Sequence, residues 1–112
     1  MLKLQDFVRR IMWSRRLQDQ PCTHVDQIRD VVPSSTGCEE CMQTGDTWVH
    51  LRLCLICGYV GCCDESKNRH ARRHFHATGH AVIQSYEVGE AWRYCFIDDE
   101  DLPPGRPLRG PA

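Results

Sequence analysis

Leu2, Leu4, Phe7, Val8, Ile11 and Met12 recur at the spacing of one helical face, interrupted and followed by Arg9, Arg10, Arg15 and Arg16. That periodicity predicts an amphipathic helical extension over residues 1–20. Pro21 follows it and the composition changes at Cys22, so a folded domain is expected over 21–101. Within it, Trp48 to Leu55 alternates aromatic, basic and aliphatic side chains and reads as a strand that delivers Cys54 and Cys57 to a tight turn. Asn68 to Thr78 lacks Pro and Gly and stops at Gly79, the pattern of a helix of about three turns with a glycine C-cap. Ala81 to Tyr86 and Ala91 to Ile97 read as two more strands around a turn at Val88-Gly89-Glu90. Pro33 to Gly37 and Thr44 to Asp46 read as turns. The segment 102–112 holds four Pro and two Gly and is expected to be disordered.

Leu, Ile, Val and Phe supply only 24 of 112 residues, close to the roughly 20 per cent floor below which highly charged chains stay disordered. A core this thin needs other support. Eight Cys and six His, with 15 acidic residues balancing 14 basic ones to a net charge of −1, point to metal or disulfide staples rather than to a nucleic-acid field. The charge is segregated: residues 67–73 carry four cations and residues 87–101 carry six acids against one Arg. No apolar run approaches the ~20 residues that cross a bilayer. The N-terminal helix also lacks the continuous apolar stretch of a secretory signal, so a cytoplasmic protein is expected. A helix that covers the domain or a partner is favoured there over a mitochondrial-type presequence.

Two Cys-x-x-Cys pairs, Cys38/Cys41 and Cys54/Cys57, are followed by spaced histidines, a zinc pattern. Each pair supplies half a tetrahedron; the other halves come from Cys62 or Cys63, His70, His74, His76 and His80. His70 and His74 stand one helical turn apart, placed to share an ion or to serve two neighbouring ones. Cys38, Cys41, Cys62 and His70 in one site and Cys54, Cys57, His74 and His80 in another make the cleaner division. A third group, Cys22, His24, Cys95 and Asp98, combines a Cys-x-His pair with a Cys-x-x-Asp pair whose carboxylate is a legitimate zinc donor. It would be the weakest of the three. Disulfides compete for the same cysteines, but six His at ligand spacings and a reducing compartment disfavour them. His76 reads as a solvated surface residue, His50 as a satisfied strand residue and Cys63 as a small buried apolar one. Trp48 and Trp92 read more readily as core than as a binding platform.

Cys22-x-His24, Cys38-x-x-Cys41, Trp48, Cys54-x-x-Cys57-Gly58, Cys62, His70, His74, Thr78-Gly79-His80 and Tyr94-Cys95-Phe96 together resemble the ubiquitin-specific-protease-type zinc finger. The likeness is closest to its short stand-alone bacterial members. The resemblance implies a small α+β zinc-stapled domain, with a twisted antiparallel sheet, one main helix and up to three zinc ions. It further implies a groove for a free C-terminus, in which Trp48, Tyr94 and Phe96 match the aromatic positions. Where ubiquitin-binding members carry Cys-Gly-Arg, this chain reads Cys62-Cys63-Asp64. An acid facing a carboxylate repels it and removes a charge-assisted hydrogen bond of roughly 1.5–3 kcal/mol, which argues against ubiquitin-tail binding unless Arg52 or Arg93 substitutes.

The reading is therefore a non-enzymatic, monomeric zinc module that binds a protein or a peptide C-terminus, without membrane contact. Nucleic-acid binding through Lys67, Arg69, Arg72 and Arg73 is disfavoured, because no aromatic residues interleave with them. The alternative is a zinc- or thiol-dependent enzyme using the Cys22/His24/Cys95/Asp98 group or Cys63. Because metal binding is expected to be the greater part of the folding free energy, a strong chelator should unfold the domain. Circular dichroism melts with and without chelator check this, and a cooperative melt of the metal-free chain refutes it.

Overall fold

A computed structural model describes residues 22–109; the helix expected over 1–20 lies outside them. After a 3-10 turn at Thr23–Gln27 come a short helix α1 (Glu39–Thr44), strands β1 (Leu51–Cys54) and β2 (Val60–Cys62), and the main helix α2 (His70–Thr78). Strands β3 (Val82–Ser85), β4 (Arg93–Cys95) and β5 (Glu100–Leu102) complete one five-stranded antiparallel sheet of order β2-β1-β3-β4-β5. The α+β architecture, the glycine-capped main helix and the three expected strands are present, each strand shorter at both ends than its sequence pattern. Gly79 closes α2 in the left-handed conformation (φ 79°), and Gly45 does the same for α1 (φ 77°).

Register sorts the side chains. Leu53, Gln84, Arg93 and Leu102 stand in one row across β1, β3, β4 and β5, and Cys54, Ile83, Tyr94 and Asp101 in the neighbouring row. With a side-chain period of two, adjacent rows face opposite sides of the sheet. Helix α2 packs against β2 and β1 on the Ile83/Tyr94 side. It leaves the β3–β5 half of that face open.

The reverse face is covered from both ends of the chain. The 3-10 turn packs against β3, and the segment behind it is tied to the β1–β2 turn by Arg29 N–H to Leu55 O (2.9 Å) and Ser34 N–H to Gly58 O (2.8 Å). The tail, expected to be disordered from residue 102, follows the sheet as far as residue 109. Leu102 ends β5 and is buried, Gly105 N–H donates to Ala91 O (3.0 Å), and the Gln84 side-chain amide donates to Arg106 O (2.7 Å). Fully buried Gln84 also accepts from Arg93 Nε (3.0 Å). A buried amide needs partners on both ends, and the tail carbonyl is one of them. Pro-rich composition did not leave this stretch free, because its backbone completes the polar ledger of the sheet.

Seven of the eight cysteines are buried, all but Cys57. Five of them, Cys22, Cys38, Cys41, Cys62 and Cys95, form a core with Leu51, Leu53, Leu55, Val60, Val82, Tyr86 and Leu102. Two glycines separate conformational from steric demand. Gly58 has φ 88°, and a Cβ there would stand 2.2 Å from Val32 O; Gly45 has φ 77° with nothing within 4 Å. Gly45→Ala should cost about 1 kcal/mol, the left-handed penalty alone, and Gly58→Ala about 2–4 kcal/mol because backbone must also move. Denaturant unfolding of the zinc-loaded variants checks the pair; equal costs would remove the steric argument.

Candidate metal centres and an aromatic groove

The cysteines and histidines converge in three clusters, each with its donor atoms within 4.8 Å of one another: Cys38, Cys41, Cys62 and His70; Cys54, Cys57, His74 and His80; Cys22, His24, Cys95 and Asp98. These are the three groups that spacing suggested. In the first, His70 Nδ1 lies 3.2, 3.3 and 3.5 Å from the sulfurs of Cys38, Cys41 and Cys62, and Cys41 and Cys62 Sγ are 4.0 Å apart. A zinc tetrahedron with bonds of ~2.3 Å to sulfur and ~2.0 Å to nitrogen has edges of about 3.5–3.8 Å. The separations therefore fit donors around one ion, and a sulfur pair at 4.0 Å is far from the ~2.05 Å of a disulfide. The donor chemistry, thiolates and imidazoles with one carboxylate, suits zinc in all three clusters.

Each cluster is assembled from distant chain segments. Cys38 is the N-cap of α1, which carries Cys41; β2 ends on Cys62, and α2 begins with His70. In the second cluster His74 Nε2 lies 3.3 Å from both Cys57 Sγ and His80 Nδ1. Burial, with the neighbouring His80 charge, holds His74 below the usual imidazole range, so it offers a neutral lone pair. Burial pushes the Cys38 and Cys22 thiols up to about 12, in concert with the sulfurs and carboxylate around them. Without a cation these sites hold protons, and metal must displace them.

Glu40 is a residue that sequence reasoning missed. Its Oε2 lies 3.3 Å from His70 Nε2, and its Oε1 accepts from the Tyr59 hydroxyl (2.9 Å), whose ring stacks on His74 at 4.3 Å. One carboxylate thus orients a donor imidazole of the first cluster and, through Tyr59, braces one of the second. The only signal was its place inside Cys38-Glu39-Glu40-Cys41, facing a histidine 30 positions away.

The third cluster is the one with a carboxylate donor: Asp98 is exposed, and its Oδ2 lies 2.8 Å from His24 Nδ1. Hydrogen bonds from Cys22 and His24 hold the Asp98 carboxyl below its ordinary range, so it presents an anionic oxygen.

The open half of the sheet face forms a groove of about 380 Å³ between α2, the segment 63–65 and strands β1 and β3–β5. Arg52 lies over the Trp92 ring at 4.4 Å and Arg72 over Phe96 at 4.8 Å. Phe96 is held from behind by Phe75 (5.2 Å, stacked) and meets Tyr94 edge-on at 5.6 Å. Tyr94 and Phe96 line the groove. Trp48 does not: its ring lies against Gly37 beside Met42, and Trp92 takes the aromatic place instead. Arg93 is also elsewhere, since its register row faces the reverse side, where it is bonded to Gln84. Arg52 is the groove cation that remains of the two suggested. Asp64 does not act as a bare acid, because Arg72 Nε donates to both its oxygens (3.0 and 2.9 Å) and Nη2 to one (2.7 Å). Exposed His50 pairs with Glu87 (2.7 Å), and exposed His76 is outside the clusters.

Residues 38–104, more than half of the chain, match the family described as the zinc finger in ubiquitin hydrolases and other proteins. A BRAP2 RING ZnF UBP domain-containing protein 2 from Arabidopsis thaliana is 37% identical over 62 residues, covering 55% of this chain and 12% of the relative. Ubiquitin carboxyl-terminal hydrolase 45 of Mus musculus is 30% identical over 94 residues, covering 70% of this chain and 11% of the relative. The chain thus spans about a tenth of these relatives' length. A solution NMR structure of a Rhodopseudomonas palustris protein is 47% identical, with a TM-score of 0.69 over 81% of this chain and 96% of that one.

Elemental analysis of the purified protein should give three zinc ions per chain, with stepwise chelation removing one ahead of the other two. Asp98→Ala should lower the count to two and leave a cooperative melt, while Asp98→Cys should keep three and abolish the early step. A wild-type count of two, or simultaneous release of all three, would contradict this assignment.

Proposed function

The chain belongs to the zinc-finger family of ubiquitin hydrolases and other proteins, and we propose that it is a zinc-stapled binding module whose groove accepts the last residues of an extended polypeptide, with the free C-terminal carboxylate at Arg52. The observation that carries this reading is the state of the two groove cations. Arg72 is neutralised by Asp64, whereas no carboxylate among the described residues lies within 4.0 Å of Arg52. Arg52 donates Nη1 to Leu51 O (3.0 Å) and is held flat over Trp92, leaving its remaining donors to a ligand. A guanidinium fork pre-set by stacking matches a carboxylate in geometry and loses little freedom on binding it. Tyr94 and Phe96 supply apolar contact for the side chains preceding the terminus.

The groove is not that of the ubiquitin-binding members residue for residue. Cys62 is followed by Cys63-Asp64, and a clamped Asp64–Arg72 pair stands where those members are expected to present a free cation. The ligand read from this chain is a free C-terminus, with the ubiquitin tail disfavoured. Catalysis is disfavoured too. Four protein donors close each metal cluster, so no position is left for a substrate or an activated water. Burial opposes ionisation of Cys63, but hydrogen bonds from Ser66 and from the backbone at Glu65 and His50, with the Arg52 charge, together outweigh it and lower its pKa; the residue is 4% exposed. Its Sγ pairs with Ser66 Oγ (3.6 Å) and with no imidazole among the described residues.

Titration of the zinc-loaded protein with a peptide library bearing free or amidated C-termini tests the reading. Free acids should bind at least tenfold tighter than their amides, and Arg52→Gln should erase about 10–100-fold of that preference, the equivalent of one charge-assisted hydrogen bond, with zinc content unchanged. Equal binding of acids and amides would overturn it.

A further inference from the structure

We infer that the ligand's terminal segment is preceded by acidic residues, which lie on a basic shelf formed by the outer face of α2. This rests on the C-terminus reading above and adds to it the chemistry of the flanking residues. Beside the groove is a second concavity of about 360 Å³, lined by Lys67, Asn68, Arg69, Arg72, Arg73 and His76. Arg72 lines both, so the shelf begins where the groove ends. A chain with its carboxylate at Arg52 passes Tyr94, Phe96 and Arg72 in turn and emerges onto this surface.

The shelf's charge is unbalanced. Residues 66–81 contain no acid, although the chain as a whole has 15 acidic residues against 14 basic ones. Lys67 is paired with Asp46 at 3.4 Å and Arg72 with Asp64 at 2.7 Å. Arg69 and Arg73 have no carboxylate within 4.0 Å among the described residues. Both are exposed and both line the concavity. Two uncompensated guanidinium groups one helical turn apart favour two acids, and exposed pairs of this kind contribute modestly and are screened by salt.

A nucleic acid would use the same cations, but the shelf offers no face for stacking. Phe75, the one aromatic ring of α2 besides its histidines, is turned inward onto Phe96. The continuity with an aromatic groove favours a peptide.

Fluorescence anisotropy on the full, zinc-loaded chain would use free-acid peptides of one terminal sequence. An acidic pair, an alanine pair or a lysine pair is moved stepwise from the third to the eighth position before the end. Within one register window, the acidic pair should bind about 3–10-fold tighter than alanine and the lysine pair weaker, with the spread shrinking as salt rises. Arg69→Asn with Arg73→Gln should abolish the spread while leaving the acid-over-amide preference intact; Asn is chosen because Arg69 has φ 50°, a conformation Asn tolerates. A preference for the free acid with no response to flanking charge overturns the shelf alone, and loss of both preferences overturns the groove with it. A short RNA or DNA that binds with a steep salt dependence, lost in the same double variant, would reassign the shelf to nucleic acid.

Discussion

Tetrahedral convergence of thiolates and imidazoles stands here where a larger apolar interior would otherwise be. The strands are three or four residues long, too short to bury much by themselves, and seven cysteines occupy the interior with the aliphatic residues. Each cluster closes a long loop: His70 reaches back 32 positions to Cys38, and His24 lies 74 positions from Asp98. Structural zinc contributes apparent free energies of about 10–16 kcal/mol in small fingers, as large as the whole 5–15 kcal/mol stability of a typical domain. Three such cross-links outweigh anything that so few aliphatic side chains supply.

The same coordination builds the groove. Cys62 is followed by Cys63 and Asp64, His70 by Ala71 and Arg72, and Cys95 by Phe96; the residues after each donor line the cavity. A side chain one or two positions from a metal-bound atom sits on backbone that cannot drift, which is the condition for a pre-organised site. The Arg72–Asp64 clamp ties two of these segments together across the groove wall. Because its three hydrogen bonds consume the charge of both partners, Arg52, placed by β1 and the Trp92 ring, is left as the groove cation without a carboxylate partner among the described residues.

What was legible in the sequence was the chemistry that depends on residue type and spacing. The donors of all three clusters, the Gly79 cap and the three longer strand patterns were readable because each carries a local signal. β2 was not, since Val60-Gly61-Cys62 is three residues with a glycine at its centre. That glycine is needed because a Cβ there would stand 2.6 Å from Ala71 N, where the helix start crosses the strand. β5 was hidden in an acidic run, and the docked tail behind its prolines, because both are decided by partners far along the chain. Trp48 and Trp92 could not be ranked from spacing: which indole reaches the groove depends on the sheet face. The one signal Glu40 carries, its place between two donor cysteines, does not separate it from Glu39 until His70 and Tyr59 are placed beside it.

Arg69 connects the staple to the surface. It holds the N-cap position of α2 in the left-handed conformation (φ 50°, ψ 48°) and caps nothing with its side chain, an arrangement that costs a non-glycine residue roughly 1–2 kcal/mol. The turn it makes aims the His70 N–H at Cys62 Sγ (3.2 Å) and brings the positive end of the helix to a cluster of three thiolates. Three thiolates around a divalent cation leave one negative charge, and a helix N-terminus favours charge of that sign. The backbone strain is thus offset inside the metal centre. Its outward consequence is that α2 is fixed against sliding or rotation, with Arg69 and Arg73 held at one angle to the groove. A basic face carried on a frayed helix start would screen charge without selecting a register. The proposed shelf is instead carried on a helix whose first residue is pinned by a sulfur.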